Sequence, residues 1–110
     1  MDIMNATMAF AALSQPTRLA VFRLLIKAGP DGMSAGDIAE VLNVRQNTMS
    51  ANLAVLLNAG LLRNERRGRS IRYSADMNGV RALLAFLMSD CCGGHPELCQ
   101  QVIDEIACAS

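Results

Sequence analysis

Aromatic residues make up only 4% of the chain and tryptophan is absent. Leu, Ala and Met must therefore fill the interior, and the seven Met read as adaptable packing rather than as a ligand stripe. Net charge is also lacking: ten basic and ten acidic residues cancel, so the whole-chain charge names no partner. Apolar stretches are short and broken by Arg, Asn or Gly, which excludes a bilayer span. The start, Met1-Asp2-Ile3-Met4-Asn5, lacks the basic opening of a secretion signal, so a cytoplasmic protein is expected. No repeat, low-complexity tract or linker divides the 110 residues, and 52% apolar composition suits one domain, 1–110. No glycine loop suited to cradling phosphate is present, and no enzyme is expected. Cysteine is missing from the first 90 residues, and all four Cys fall at 91, 92, 99 and 108. A disulfide scaffold would spread them through the fold. Clustering points instead to reduced thiols acting as ligands or redox groups.

What is present is mostly helical period. Residues 3–13 read as a first helix. A second opens at Pro16 and runs to about Ala28, with Leu19, Phe22 and Ile26 on one side. Gly29-Pro30-Asp31-Gly32 breaks it. Ser34 reads as an N-cap with Asp37 at the third helical position, opening a short helix to Leu42 with Ala35, Ile38, Val41 and Leu42 as its stripe. Asn43 suits the left-handed end of that helix. The next helix runs from about Arg45 to Asn58, with Met49, Leu53, Leu56 and Leu57 on a narrow apolar face. Residues 61–66 and 70–74 then turn extended around Arg67-Gly68-Arg69, the pattern of a β-hairpin. Helical period returns at Asn78, with Val80, Leu83, Leu84, Leu87 and Cys91 as a stripe ending at Gly93-Gly94, and Pro96 opens a last helix to about Ala107.

Two short helices joined by a tight turn and followed by a basic hairpin describe a winged helix-turn-helix, mainly α with a small β-hairpin wing. The helix-turn-helix occupies about 34–58 and the wing about 61–75. Between Arg45 and Arg72 lie six arginines and one acid, Glu65, a local charge of +5 balanced by −5 elsewhere. Such a stripe on a neutral chain is a footprint for phosphate. A helix entering the major groove needs an apolar back and short polar side chains in front. Gln46, Asn47 and Ser50 supply hydrogen bonding, Ala51 and Ala54 allow close approach, and Asn52 sits at the flank. Arg45, Arg66, Arg67, Arg69 and Arg72 are the phosphate candidates.

Residues 33–44, with 46–56, closely resemble the helix-turn-helix of the ArsR/SmtB family. Leu13-Ser14-Gln15-Pro16-Thr17-Arg18 and Arg67-Gly68-Arg69-Ser70-Ile71-Arg72-Tyr73 match that family too. Asn52 departs from it, since many members have His there. The resemblance spans about residues 8–75. It implies a homodimer packed through the first and last long helices, operator DNA as partner, and a repressor released by an inducer.

The C-terminal part, 78–108, would carry the sensor. In Cys91-Cys92-Gly93-Gly94-His95-Pro96-Glu97-Leu98-Cys99, two Gly let the chain reverse and return a third thiol seven residues after the pair. Three soft thiolates without a hard fourth ligand suit a three-coordinate thiophile such as trivalent arsenic or antimony. The family's Cys-x-Cys arsenic site is absent, because Ser34 and Gly36 stand there. Its Asp/His zinc site is unsupported by a single His. A Cys-Cys pair with a third Cys resembles an arsenic-sensing subgroup, and on that match Cys91, Cys92 and Cys99 are the ligand candidates, with Cys108 a spare or fourth ligand. No cofactor is required. Zinc, cadmium, lead, methylated trivalent arsenic, and oxidation or reactive sulfur at the same cysteines remain open as the signal.

Overall fold

Short polar side chains set where the helices begin. The computed structural model describes residues 1–89 and 96–107. Asp2 accepts a hydrogen bond from the Asn5 amide and starts α1 (Ile3–Leu13). Gln15 accepts from the Arg18 amide, and Pro16 fills the first position of α2 (Pro16–Ala28), where a missing N–H costs nothing. Ser34 caps α3 (Ala35–Leu42) through the Asp37 amide, and Asn43 closes it in the left-handed conformation at φ 54°. Helix α4 spans Gln46–Asn58. Asp76 caps α5 (Met77–Leu87) through two amides, and α6 runs Pro96–Ala107.

The wing is β2 (Leu62–Arg67) and β3 (Ser70–Ala75), paired antiparallel from Leu62 opposite Ala75 to Arg67 opposite Ser70. Gly68 takes a φ of +62° in the two-residue turn while Arg69 stays on the negative side, the sign pattern of a type II′ hairpin. A third strand, β1 (Met33–Ser34), pairs antiparallel with β3 and makes the sheet order β1-β3-β2. Two residues carry no readable alternation, so this strand was not expected from sequence. Gly32 leads into it, buried at φ +66°, where a Cβ would collide with the Tyr73 carbonyl.

The core joins Ala6, Ala9 and Ala12 of α1 to Val21 and Leu25 of α2, Ile38 of α3, Met49, Leu53 and Leu56 of α4, and Leu61 and Leu62. Three expected faces are corrected here. On α2 the inward residues are Val21 and Leu25, while Leu19 and Ile26 are exposed. That helix is apolar on several sides, so periodicity alone could not choose. On α3 Ala39 is buried in place of Val41, which is 59% exposed. Helix α5 closes at Leu87 with Met88 as its C-cap, short of Gly93-Gly94, and among the described residues of its expected stripe it buries only Leu83. Its first turn rests on the turn after α4: a Cβ on Gly79 would overlap the Gly60 carbonyl oxygen.

Among the described residues, no helix is long and apolar enough to cross a membrane.

Candidate nucleic-acid interface

Helix α4 has two faces of opposite chemistry. Met49, Asn52, Leu53 and Leu56 point into the core, held by α3 on one side and by α1 and α2 on the other. Gln46, Asn47, Thr48, Ser50, Ala51 and Ala54 are exposed. Burial of the first set fixes the helix axis, and the second presents hydrogen-bonding groups on short side chains over a surface without bulk. This is what reading base edges in a major groove demands. Arg45 forms the N-cap without a side-chain cap bond, and the Asn47 Oδ1 accepts from the Thr48 amide at 2.9 Å. That bond takes one amide of the first turn, and without a side-chain cap those of Gln46 and Asn47 stay open beside an arginine, a favourable place for a backbone phosphate. Thr48 belongs to this exposed first turn and was missed from sequence, where its position suggested neither face.

Asn52 is the principal correction to the expected interface. It is 7% exposed, and its Oδ1 accepts from Arg18 Nη1 at 3.3 Å. Arg18 also donates from Nε to the Ala12 carbonyl at 2.7 Å. The pair bolts the recognition helix to the corner between α1 and α2, so Asn52 holds the reading helix and does not face the groove. Its spacing from Met49 and Leu56, three before and four after, was the signal for an inward position.

The wing arginines divide in the same way. Arg72 donates from Nε to the Asp31 carbonyl at 3.2 Å and from Nη2 to the Gly32 carbonyl at 2.9 Å. It staples the loop before β1 to β3, so that two of its donors are spent within the fold; pairing of β1 with β3 brings those carbonyls within its reach. Arg67 lies 3.7 Å from the Asp31 carboxylate and 3.6 Å from that of Glu65, both surface pairs of small worth. Arg66 donates to the Gly68 carbonyl at 3.4 Å. Arg69, exposed at the turn, makes no hydrogen bond or ion pair among the described residues, and so carries the most available charge of the wing.

The cysteine candidates Cys91, Cys92 and Cys108 lie outside the described residues. Cys99 is on the first turns of α6, partly buried and disulfide-bonded. Among the described residues no group of three His, Cys, Asp or Glu side chains could hold a metal ion. Ser34, at the position of the family's other arsenic site, serves as the cap of α3.

Residues 13–65 match the model of a helix-turn-helix domain family. The transcriptional repressor SdpR of Bacillus subtilis (strain 168) is 42% identical over 80 residues, covering 73% of this chain and 86% of that protein. An ArsR-like transcriptional regulator from Rhodococcus sp. RHA1 is 28% identical and superposes with a TM-score of 0.71 over 94% of this chain and 93% of that one. The homodimeric winged helix-turn-helix DNA-binding domain of a possible ArsR-family regulator from Mycobacterium bovis, 24% identical, shares the fold with a TM-score of 0.66 over 96% of this chain and 83% of that one. The relatives are transcriptional regulators and not enzymes. The chain belongs to the ArsR family of winged helix-turn-helix transcriptional regulators.

Proposed function

We propose that the protein represses transcription as a homodimer and releases its operator when trivalent arsenic is bound by Cys91, Cys92 and Cys99. The observation that carries the DNA-binding part is α4, with its apolar face buried and its short polar face open beside its N-cap Arg45. Dimerisation is supported by apolar side chains left on the outside. Ile3, Met4 and Met8 of α1, Leu84 and Leu87 of α5, and Leu98, Val102, Ile103 and Ile106 of α6 are all exposed. A face of this kind on three helices calls for a partner, and a second copy meeting it about a two-fold axis would set two α4 helices facing one palindromic site.

The arsenic reading rests on the donor set. Arsenite, As(OH)₃, exchanges its three hydroxyls for three thiols: three As–S bonds form, three As–O bonds break, and three waters leave. The product is neutral and needs no hard fourth ligand. Cys99 sits on α6, whose apolar stripe belongs to the proposed dimer face, so ligation there would act on the interface and thereby on the spacing of the two reading helices. By linkage, operator DNA must weaken arsenite binding by the factor with which arsenite weakens operator binding, a coupling of about 1–3 kcal/mol in ordinary cases. Reduced, oxygen-free protein is titrated with arsenite while thiols are counted by alkylation and mass mapping and operator affinity is followed by anisotropy. Protection of three thiols per chain at one equivalent, with loss of operator affinity, is expected. Identical operator affinity with and without saturating arsenite would refute arsenic sensing.

A second reading is favoured by one observation, the disulfide at Cys99. Two thiols would give two electrons and two protons to an oxidant such as diamide or a polysulfide, and the new S–S bond would constrain α6. Release of DNA by diamide, reversed by dithiothreitol, together with no response to arsenite would select it.

A further inference from the structure

We propose that the cleft where the end of α2, the foot of the wing and the first turn of α5 meet binds a small organic anion, a carboxylate carried on a short apolar body. The cleft encloses about 340 Å³, and small-molecule sites span roughly 300–1,000 Å³. Its cationic side is made by Arg63 of β2 and Arg81 of α5, and its apolar side by Leu25, Ile26 and Met77. Arg63 spends only its Nε, on the Ser74 hydroxyl at 3.2 Å. Arg81 donates from Nε to the Met77 carbonyl at 3.4 Å and from Nη2 to Asn78 Oδ1 at 2.7 Å. Neither guanidinium meets a carboxylate, since both ion pairs among the described residues belong to Arg67. The acid in the lining is Asp76, whose Oδ1 is occupied by the Asn78 and Gly79 amides at 3.0 and 3.2 Å. The cleft is therefore left with a surplus of positive charge and with guanidinium donors suited to a planar carboxylate.

The apolar wall makes the site selective for more than charge. Ile26 and Met77 are 42% and 51% exposed beside the arginines, and a short hydrocarbon would cover them. A bare phosphate would not. The ligand would touch α2, the wing and α5 at once, so its binding would bear on how the wing is held against the rest of the domain.

The test uses the full chain, isotopically labelled, titrated with sodium hexanoate and followed by amide chemical shifts. Saturable shifts confined to Gly29 and residues 75–81, with a dissociation constant on the order of 1 mM, are expected. Inorganic phosphate and 1-hexanol should each bind about ten-fold more weakly or not at all, as should the Arg63→Gln/Arg81→Gln variant. Met77→Glu, at an exposed position, should repel hexanoate while keeping the dispersed spectrum of the folded protein, which guards against a misfolded arginine variant. Several results would overturn the proposal: absence of saturation, shifts elsewhere, phosphate as strong as hexanoate, or an arginine variant that still binds. So would a double variant whose only defect is weaker DNA binding with a lower salt slope, because the two arginines would then be phosphate contacts.

Discussion

Replacing Asn52 by Ala separates a reading role from a holding role. The carboxamide is buried, and the Arg18 guanidinium donates to it at 3.3 Å. A hydrogen bond to a charged group contributes about 1.5–3 kcal/mol, and a distance at the long end of the N–H···O range argues for the lower figure. Ala regains about 0.6 kcal/mol of helix propensity. The expected net loss is therefore about 1 kcal/mol, read by urea denaturation at fixed protomer concentration, since dimerisation would couple into the midpoint. Asn52→Asp sharpens the test. A carboxylate facing Arg18 keeps the bolt, so stability should exceed that of Asn52→Ala and the preferred DNA sequence should be unchanged. If Asn52 instead faced the groove, Asn52→Ala would leave stability intact and Asn52→Asp would abolish DNA binding through repulsion from phosphate. That pair of results would refute the inward placement.

Arg69→Ala should lower the slope of log affinity against log salt by about one unit. Arg72→Ala should leave that slope unchanged and cost about 1–3 kcal/mol of stability, because two carbonyls lose their donor; a reversed pattern in the two salt titrations would exchange their roles. Gly79→Ala should destabilise despite a gain in helix propensity of about 1 kcal/mol, because overpacking against the Gly60 carbonyl costs about 1–3 kcal/mol; equal or higher stability in denaturant would show that α5 does not rest there. Ile103→Glu, on the exposed stripe of α6, should dissociate the dimer in sedimentation analysis; an unchanged mass would remove α6 from the interface.

The helix starts were legible because each is set locally, whereas the end of α5 was not. Asp2, Gln15 with Pro16, Ser34 and Asp76 act on amides two or three residues away, so they work the same in any tertiary setting. The hairpin was legible for the same reason, since Gly68 alone supplies the positive φ its turn requires. What could not be read were choices made by distant neighbours. Val21 and Leu25 are core and Leu19 is not because α1, α3 and β3 close over one side of α2. Arg72 looked like any wing arginine until β1, forty residues earlier in the chain, brought two carbonyls beside it. Arg18, absent from the expected site, matters only because the fold sets it against Asn52, thirty-four residues on.

The reading unit and α5, one of the helices proposed to join the dimer, meet at one junction, and its bonding constrains how a signal could act. The end of α4, the start of β2 and the start of α5 are tied by main-chain bonds. The Leu61 amide donates to the Leu56 carbonyl at 3.1 Å and the Asp76 amide to the Leu61 carbonyl at 2.9 Å, with Gly79 pressed on Gly60. Bending this junction would break backbone hydrogen bonds over a buried Leu61, each costly to leave unmade. A shift of α5 therefore carries α4 and the wing with it as one body. In the proposed mechanism a thiol ligand at α6 would then leave each reading head intact and change the angle between the two heads. Inducer-bound protein should accordingly keep its affinity for isolated half-sites while losing it for the spaced palindrome, and loss of both together would mean that the head itself deforms.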